Sequence, residues 1–284
     1  MANAPGADAL IRLKMIATDL DGTFLGDDTM PSALNIEAVR RAAAAGIHIV
    51  FATGRPARWL QPVDAVMDVH PDAIASNGGV IWNVAEHRLR AAFPLPREDT
   101  LSLMADVTEA LPTVSFAVEY IETWGRQPGF PRRGDFVEAA VISDDHAALL
   151  DGGLVVKLLI YGPGIYTDHL ADLVVPLVKG RLDLTFSIIQ PNGILELSAP
   201  GVSKASALQV LMDDYGVDAS EVAAFGDMPN DLDMLQLAGY PFVMSNAHPT
   251  VLAQGFPDAG HHDDSGFGRI VMALLDEMEA ASSR

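Results

Sequence analysis

MIATDLDGTFL, residues 15 to 25, sets two aspartates two positions apart at the end of an apolar run and follows them with Gly22 and Thr23. A short apolar run bounded by turn formers is the pattern of a strand buried on both faces, as in a parallel sheet. On an extended chain Asp19 and Asp21 point the same way, so two carboxylates face one crevice and repel each other unless a cation or a proton intervenes. On these residues alone, the bland alternative is an acidic turn that caps the next element.

The neighbouring segments decide which kind of sheet this strand belongs to. LNIEAVRRAAAA at 34 to 45 is an Ala-rich helix with Gly46 as its stop, followed by the apolar strand IHIVFAT and a third short strand, AIAS, at 73 to 76. Strands alternating with helices at this spacing predict an α/β fold with a Rossmann-like, mainly parallel sheet. After residue 80 the grammar changes to α+β. VIWNVAEHRLRAAF reads as a hairpin, 97 to 111 as an amphipathic helix, TVSFAVEY and LVVKLLIY as strands, 166 to 178 as a helix, and LDLTFSII with GILEL as strands around Pro191-Asn192-Gly193. Alternation returns past Gly201, with a helix over 203 to 214, the strand VAAF, a helix from about 230 and the strand PFVM. The expectation is a catalytic core split into 1–83 and 190–284, with an α+β cap inserted at 84–189.

Composition limits the function classes. The chain has 284 residues, 49% of them hydrophobic, enough for about two domains at roughly 150 residues each. A formal net charge of −20 repels nucleic acid and anionic membranes, so neither is expected as a partner. The absence of cysteine excludes disulfides and thiolate chemistry. The N-terminal stretch has no basic, apolar leader pattern, and no run reaches the ~18 apolar residues of a membrane span, so a cytoplasmic protein is expected, monomeric or a small homo-oligomer.

Ligands of open parallel sheets bind beyond the carboxyl ends of the strands, where the strand order reverses. Asp19 sits at such an end. The second strand closes in ATGRP, where the Thr53 hydroxyl and the N–H groups of a helix starting at Pro56 would suit a phosphate; an ordinary turn is the bland alternative. In GVSKASALQVL, Lys204 occupies the first turn of a helix, a position the macrodipole disfavours for a cation unless an anion is tethered there. AAFGDMPNDLDML repeats the opening design, with Asp227, Asp231 and Asp233 just past a strand end. Magnesium takes oxygen ligands and usually one or two carboxylates, so Asp19 and Asp227 are candidates to share one ion, with Asn230 and Asp231 anchoring Lys204 or orienting the ligands.

Together DLDGT at 19 to 23, TGR at 53 to 55, SNGG at 76 to 79, GVSK at 201 to 204, GDMPND at 226 to 231 and SNAHP at 245 to 249 resemble the haloacid dehalogenase-like phosphatases, in particular the Cof-type group whose cap is inserted after the third core strand. The resemblance implies that Asp19 is the nucleophile that becomes an aspartyl-phosphate. Asp21 protonates the leaving alcohol, then activates water, and its backbone carbonyl meets the metal. Thr53 and Lys204 hold the phosphoryl group, and Asp19, Asp21 and Asp227 form the Mg2+ site, supported by Asp231. Leu20, Gly22, Gly54, Arg55, Asn77 and Asn230 are the implied phosphate or substrate contacts.

The implied activity is hydrolysis of small phosphate esters, such as sugar phosphates or phosphorylated cofactors like pyridoxal phosphate or FMN. A phosphosugar mutase is the alternative, and a non-catalytic phosphometabolite-binding protein comes after it. Asp27 and Asp28, in the flap implied after the motif, are expected to be solvated, as is the GHHDD loop at 260 to 264. Asn246 and His248 read as rim residues or as a turn and helix start. WGRQPGFPRR, with Trp124, Arg126, Arg132 and Arg133, is either an exposed loop or a place where the cap meets an anionic or ring-bearing substrate.

Overall fold

The computed structural model describes residues 12–132 and 138–283. Its strands are, in chain order, β1 (Met15–Thr18), β2 (His48–Ala52), β3 (Asp72–Ala75), β4 (Val80–Asn83), β5 (Arg88–Ala92), β6 (Ser115–Glu119), β7 (Trp124–Arg126), β8 (Val141–Ile142), β9 (Lys157–Gly162), β10 (Asp183–Thr185), β11 (Gly193–Ser198), β12 (Val222–Gly226) and β13 (Tyr240–Val243). The α-helices are α1 (Ala33–Ala44), α2 (Arg97–Ala110), α3 (His146–Asp151), α4 (Thr167–Val178), α5 (Lys204–Tyr215), α6 (Leu232–Leu237), α7 (Pro249–Leu252) and α8 (Gly266–Ser282). None of the described helices is long and apolar enough to cross a membrane.

Seven strands form one sheet in the order β13-β12-β1-β2-β3-β4-β5, parallel from β13 to β3, with β4 and β5 antiparallel at one edge. All four residues of β1 are buried, and Met15 pairs with Val222 on one side and His48 on the other. An apolar run without alternation is what a strand covered on both faces requires. On one face Phe24, Phe51, Phe225 and Phe267 meet ring to ring, and α1 and α8 close over them. On the other, Met15, Ala17, Val50 and Ala224 pack with Leu208, Leu211 and Met212 of α5. The chain order reverses at β1, so its carboxyl end opens the crevice.

The second sheet runs β10-β11-β9-β6-β7-β8. Helices α2, α3 and α4 cover the face that carries Phe116, Val118, Leu158, Ile160, Leu195 and Leu197. The alternate positions of the same strands hold Glu119, Lys157 and Glu196, all buried. Sheet membership departs from the expected insert boundaries of 84 and 189. β5, expected inside the insert, is hydrogen-bonded in the seven-stranded sheet, and β11, expected in the returning core, is central to the six-stranded one. Hairpin pairing is local, whereas the sheet that a hairpin joins is settled by long-range contacts that local pattern does not carry.

The helix expected to start at Pro56 is instead two 3-10 segments, Ala57–Trp59 and Gln61–Val69, with Pro56 in the N-cap position. Pro62 near the start of the second segment, and the non-helical Val66 within it, keep a regular α-helix from forming. The helix-dipole argument for a phosphate after Thr53 therefore does not hold; what remains is the hydroxyl and the backbone of the turn.

Candidate active site

Four strand ends meet at the crevice. Asp19 follows β1, Thr53 follows β2, Ser76 and Asn77 follow β3, and Asp227 follows β12. Asp19 is fixed by its own backbone N–H, which donates to the Phe225 carbonyl across the sheet at 3.0 Å. Lys204 arrives from the other direction at the first position of α5. Ser203 caps that helix in a reciprocal bond with Ser206, and Gly216 ends it at φ 63°.

The Lys204 ammonium is buried and donates to Asp19 Oδ1 at 2.5 Å and Asp231 Oδ1 at 2.6 Å. The second oxygen of Asp231 accepts the backbone N–H groups of Asp227 (3.0 Å) and Met228 (2.9 Å), which locks the loop carrying Asp227. Thr23 donates its hydroxyl to Asp227 at 3.1 Å. Carboxylate oxygens of Asp19, Asp227 and Asp231 lie within 4.8 Å of one another. Three carboxylates against one ammonium leave an excess of buried negative charge. Burial raises the pKa of Asp19 well above the ordinary carboxylate value, against the pull of Lys204, and Asp231, Asp227 and Asp21 push it the same way. Asp227 is pushed up to about 7, chiefly by burial and then by Asp231. Lys204, despite burial, is held protonated by its two carboxylates.

These residues fit a magnesium ion. The donors are all hard oxygens, and their charge excess is the kind a cation offsets. Gly22, at φ +77°, brings the backbone so close that a Cβ there would stand 2.5 Å from Asp227 Oδ2, so the loop keeps clear the space beside that carboxylate.

A model of the haloacid dehalogenase-like hydrolases matches residues 16–269, nearly the whole of both sheets. The chain belongs to that family. The 5-amino-6-(5-phospho-D-ribitylamino)uracil phosphatase YbjI of Escherichia coli (strain K12) is 30% identical over 94% of this chain and 96% of its own. The phosphatase YcsE of Bacillus subtilis (strain 168), of the same description, is 28% identical over 85% and 87%. Among solved structures, the haloalkanoate-superfamily phosphatase BT1666 of Bacteroides thetaiotaomicron superposes with a TM-score of 0.77 at 25% identity, covering 96% of this chain and 98% of that one. The resemblance to the Cof-type phosphatases of this family is thereby shown.

Within this haloacid dehalogenase-like frame the remaining expected residues fall into two groups. Asp21 and Arg55 line the cavity with Asp19, and the Arg55 guanidinium grips Asp21 through Nε (2.7 Å) and Nη2 (2.5 Å). Thr53 is buried, and its hydroxyl accepts the Arg55 N–H at 3.0 Å. Gly54 and Asn230 also line the cavity. Asn77 is buried, donating its amide to Glu196 of β11 and accepting from Asn230 at 3.0 Å, and it lines a second, smaller cavity together with Lys204 and Asn230.

The six-stranded unit supplies residues that sequence reasoning missed. Glu196 and Ser187 line the cavity, and Lys157 donates to the Gly54 carbonyl at 2.5 Å. Glu119 forms a buried pair with Arg58 of the first 3-10 segment at 2.5 Å. The signal was present, since each of the three charges interrupts an otherwise apolar strand. None of the described residues of WGRQPGFPRR lines that cavity. Trp124 is buried in its own small cluster, Arg132 pairs with Glu138, and Arg133 lies outside the described residues. Arg126 donates to the carbonyls of Gln127 (3.1 Å), Pro128 (3.2 Å) and Phe130 (3.2 Å). Arg126→Ala is therefore expected to destabilise the fold by about 1–3 kcal/mol, seen as a lower Tm, with kcat/KM unchanged on the surviving folded protein.

Asp27 and Asp28 are both exposed as expected, and Asp28 accepts the Met30 N–H at 2.9 Å. The GHHDD stretch, expected to be solvated, is tied to the flap: His262 is buried with Nδ1 2.9 Å from the Leu25 carbonyl, and Asp263 accepts the Asp27 N–H at 3.0 Å. His248 caps α7, and Asn246 donates to the Gly22 carbonyl at 2.9 Å, holding the motif loop.

Proposed function

We propose that the protein hydrolyses small phosphorylated metabolites through an aspartyl-phosphate on Asp19, with magnesium held by Asp19, Asp21 and Asp227. It is a phosphoric monoester hydrolase whose substrates are small phosphate esters, like those of its phosphatase relatives. The observation that carries the mechanism is the Asp19–Lys204 contact of 2.5 Å at the carboxyl end of the central strand. A carboxylate nucleophile works when it is rigid, partly desolvated and in line with phosphorus, and a strand buried on both faces supplies all three.

In the first half-reaction an Asp19 oxygen bonds to phosphorus as the bond to the substrate alcohol breaks, and Asp21 gives its proton to the departing oxygen. In the second, the Asp21 carboxylate takes a proton from water, the water oxygen bonds to phosphorus, and phosphate leaves with Asp19 restored. Thr53, Lys204 and the backbone N–H groups around Leu20, Gly22 and Gly54 hold the phosphoryl oxygens, because this transfer depends mainly on positioning and charge stabilisation. Magnesium, when bound, neutralises charge on the phosphoryl oxygens and the carboxylates around them. The six-stranded unit, between the ends of β5 at Ala92 and β11 at Ser198, acts as the cap. A cytoplasmic location belongs to the same proposal.

A phosphate-release screen over sugar phosphates, nucleotides, pyridoxal phosphate and FMN with magnesium tests this reading. Inorganic phosphate as the product supports it, and an isomeric sugar phosphate in its place would indicate a mutase. Chelation is expected to stop turnover, with magnesium restoring it and calcium, larger and more loosely coordinated, failing to do so. Magnesium should also raise the Tm of the metal-free protein. Asp227→Asn should raise the metal-free Tm by removing one of the crowded carboxylates, and should abolish the magnesium shift. Full activity in excess chelator would refute the metal assignment.

A further inference from the structure

The cavity beside Asp19 encloses about 810 Å³ and reaches Ser187, Ile188 and Glu196 of the six-stranded unit, with Trp59 and Met228 among its walls. Its charge is set by two arrangements. Arg55 is the cationic side chain among the described residues that line it, and its fork is closed on Asp21. From the six-stranded unit, the charged group that lines the cavity is the Glu196 carboxylate. Its counter-ion, Lys157, stands 3.6 Å away, is buried, and is turned to the Gly54 carbonyl. Glu196 is held rigidly, accepting the Ser187 hydroxyl at 3.0 Å on Oε1 and the Asn77 amide on Oε2. Each carboxylate oxygen accepts more than one hydrogen bond, so both retain capacity for a ligand donor.

We infer that Glu196 is a specificity-determining residue that selects phosphate esters with an uncharged, hydroxyl-bearing alcohol portion and rejects those bearing a second anion beyond the phosphoryl group. The inference rests on the phosphatase reading above. A ligand hydroxyl donates to the carboxylate in a charge-assisted bond, while Trp59, Ile188 and Met228 take the carbon skeleton. A carboxylate or second phosphate in the same place meets a like charge held in position by Ser187 and Asn77. Such juxtaposition is a strong discriminator because the wrong ligand is repelled, in addition to lacking a bond. Glu196 is not among the groups that hold the transferring phosphoryl, which are Asp19, Lys204, Thr53 and the backbone N–H groups around Leu20, Gly22 and Gly54.

D-glucitol 6-phosphate and 6-phosphogluconate test this, because they are six-carbon chains that differ in carrying CH2OH or a carboxylate at the far end. Each is used as a competitor of p-nitrophenyl phosphate hydrolysis by the magnesium-loaded wild type and by Glu196→Gln. In the wild type the inhibition constant of 6-phosphogluconate should exceed that of D-glucitol 6-phosphate by about tenfold or more, and Glu196→Gln should bring the ratio towards one. Because the ratio is internal to each variant, a general loss of activity does not shift it. Ser187→Asp, which adds a second carboxylate beside the first, should widen the ratio and serves if Glu196→Gln does not fold. Equal constants in the wild type, no competition by either compound, or a ratio that both variants leave unchanged would overturn the role of Glu196. Failure of the wild type to hydrolyse p-nitrophenyl phosphate or any ester in the screen would instead overturn the phosphatase reading.

Discussion

Asp19→Asn should lower kcat by about a thousandfold or more while leaving the fold intact, because the substitution removes the nucleophile and almost none of the volume. The Asp19 backbone stays pinned to Phe225, and Lys204 keeps Asp231 as its counter-ion. The lost carboxylate is one that burial already disfavours as an anion, so thermal stability should be equal to the wild type or slightly higher. Circular dichroism and thermal unfolding check the fold, and phosphate release at saturating substrate checks the rate. Retention of a tenth of wild-type turnover would remove Asp19 from the nucleophile's role.

Lys204→Met should lose both activity and stability. The methionine fills the volume of the lysine stem but leaves Asp19 and Asp231 facing each other without the ammonium that now bonds both at 2.5 and 2.6 Å. Removing one partner from a buried ion network typically costs about 3–5 kcal/mol, because the remaining charges are left uncompensated. For a chain of this size the loss corresponds to a fall in Tm of very roughly 10 °C. Turnover should fall by at least about a hundredfold, since the phosphoryl oxygens lose a cation in a site shielded from water. Asp19→Asn added to Lys204→Met should recover part of the stability and none of the activity. Turnover per folded molecule in the single variant separates the two roles, because a lysine that served only structure would leave it unaltered. A Tm within a degree or two of wild type in the single variant would show that the trio is not stabilised as described.

The family and the core chemistry were legible in the sequence because both rest on local patterns. A strand buried on both faces must be apolar throughout, so MIAT shows itself, and a carboxylate that ends such a strand is conspicuous where Asp19 stands. Lys204 was visible for a related reason: a cation in the first turn of a helix runs against the dipole and requires a partner. Which partner it has was not visible. Asp19 lies 185 positions away and Asp231 27, and only the folding of β1, α5 and the loop after β12 brings them to one point. The sheets that β5 and β11 join were not legible because both satisfy their hairpin pattern in either sheet, and the choice depends on which neighbouring strand completes their hydrogen bonds.

The cavity's far wall shows the same division most clearly. In the sequence, Glu196 is one acidic residue in GILELS and Lys157 one base in LVVKLLIY, and each reads as an accident in an apolar strand. The basic, aromatic WGRQPGFPRR looked the better candidate, because composition draws attention to clusters. Strand alternation sends Lys157, Glu196 and Arg126 to the same face of the six-stranded sheet, where the two isolated charges reach Gly54 and Asn77 while Arg126 donates to the carbonyls of its own loop. The sequence by itself thus determined the strand ends and pointed to the residues proposed to carry the phosphoryl chemistry, which need only short-range patterns of burial and charge. The tertiary structure alone decided which charges line the cavity, because that depends on how two separately built sheets meet across the crevice.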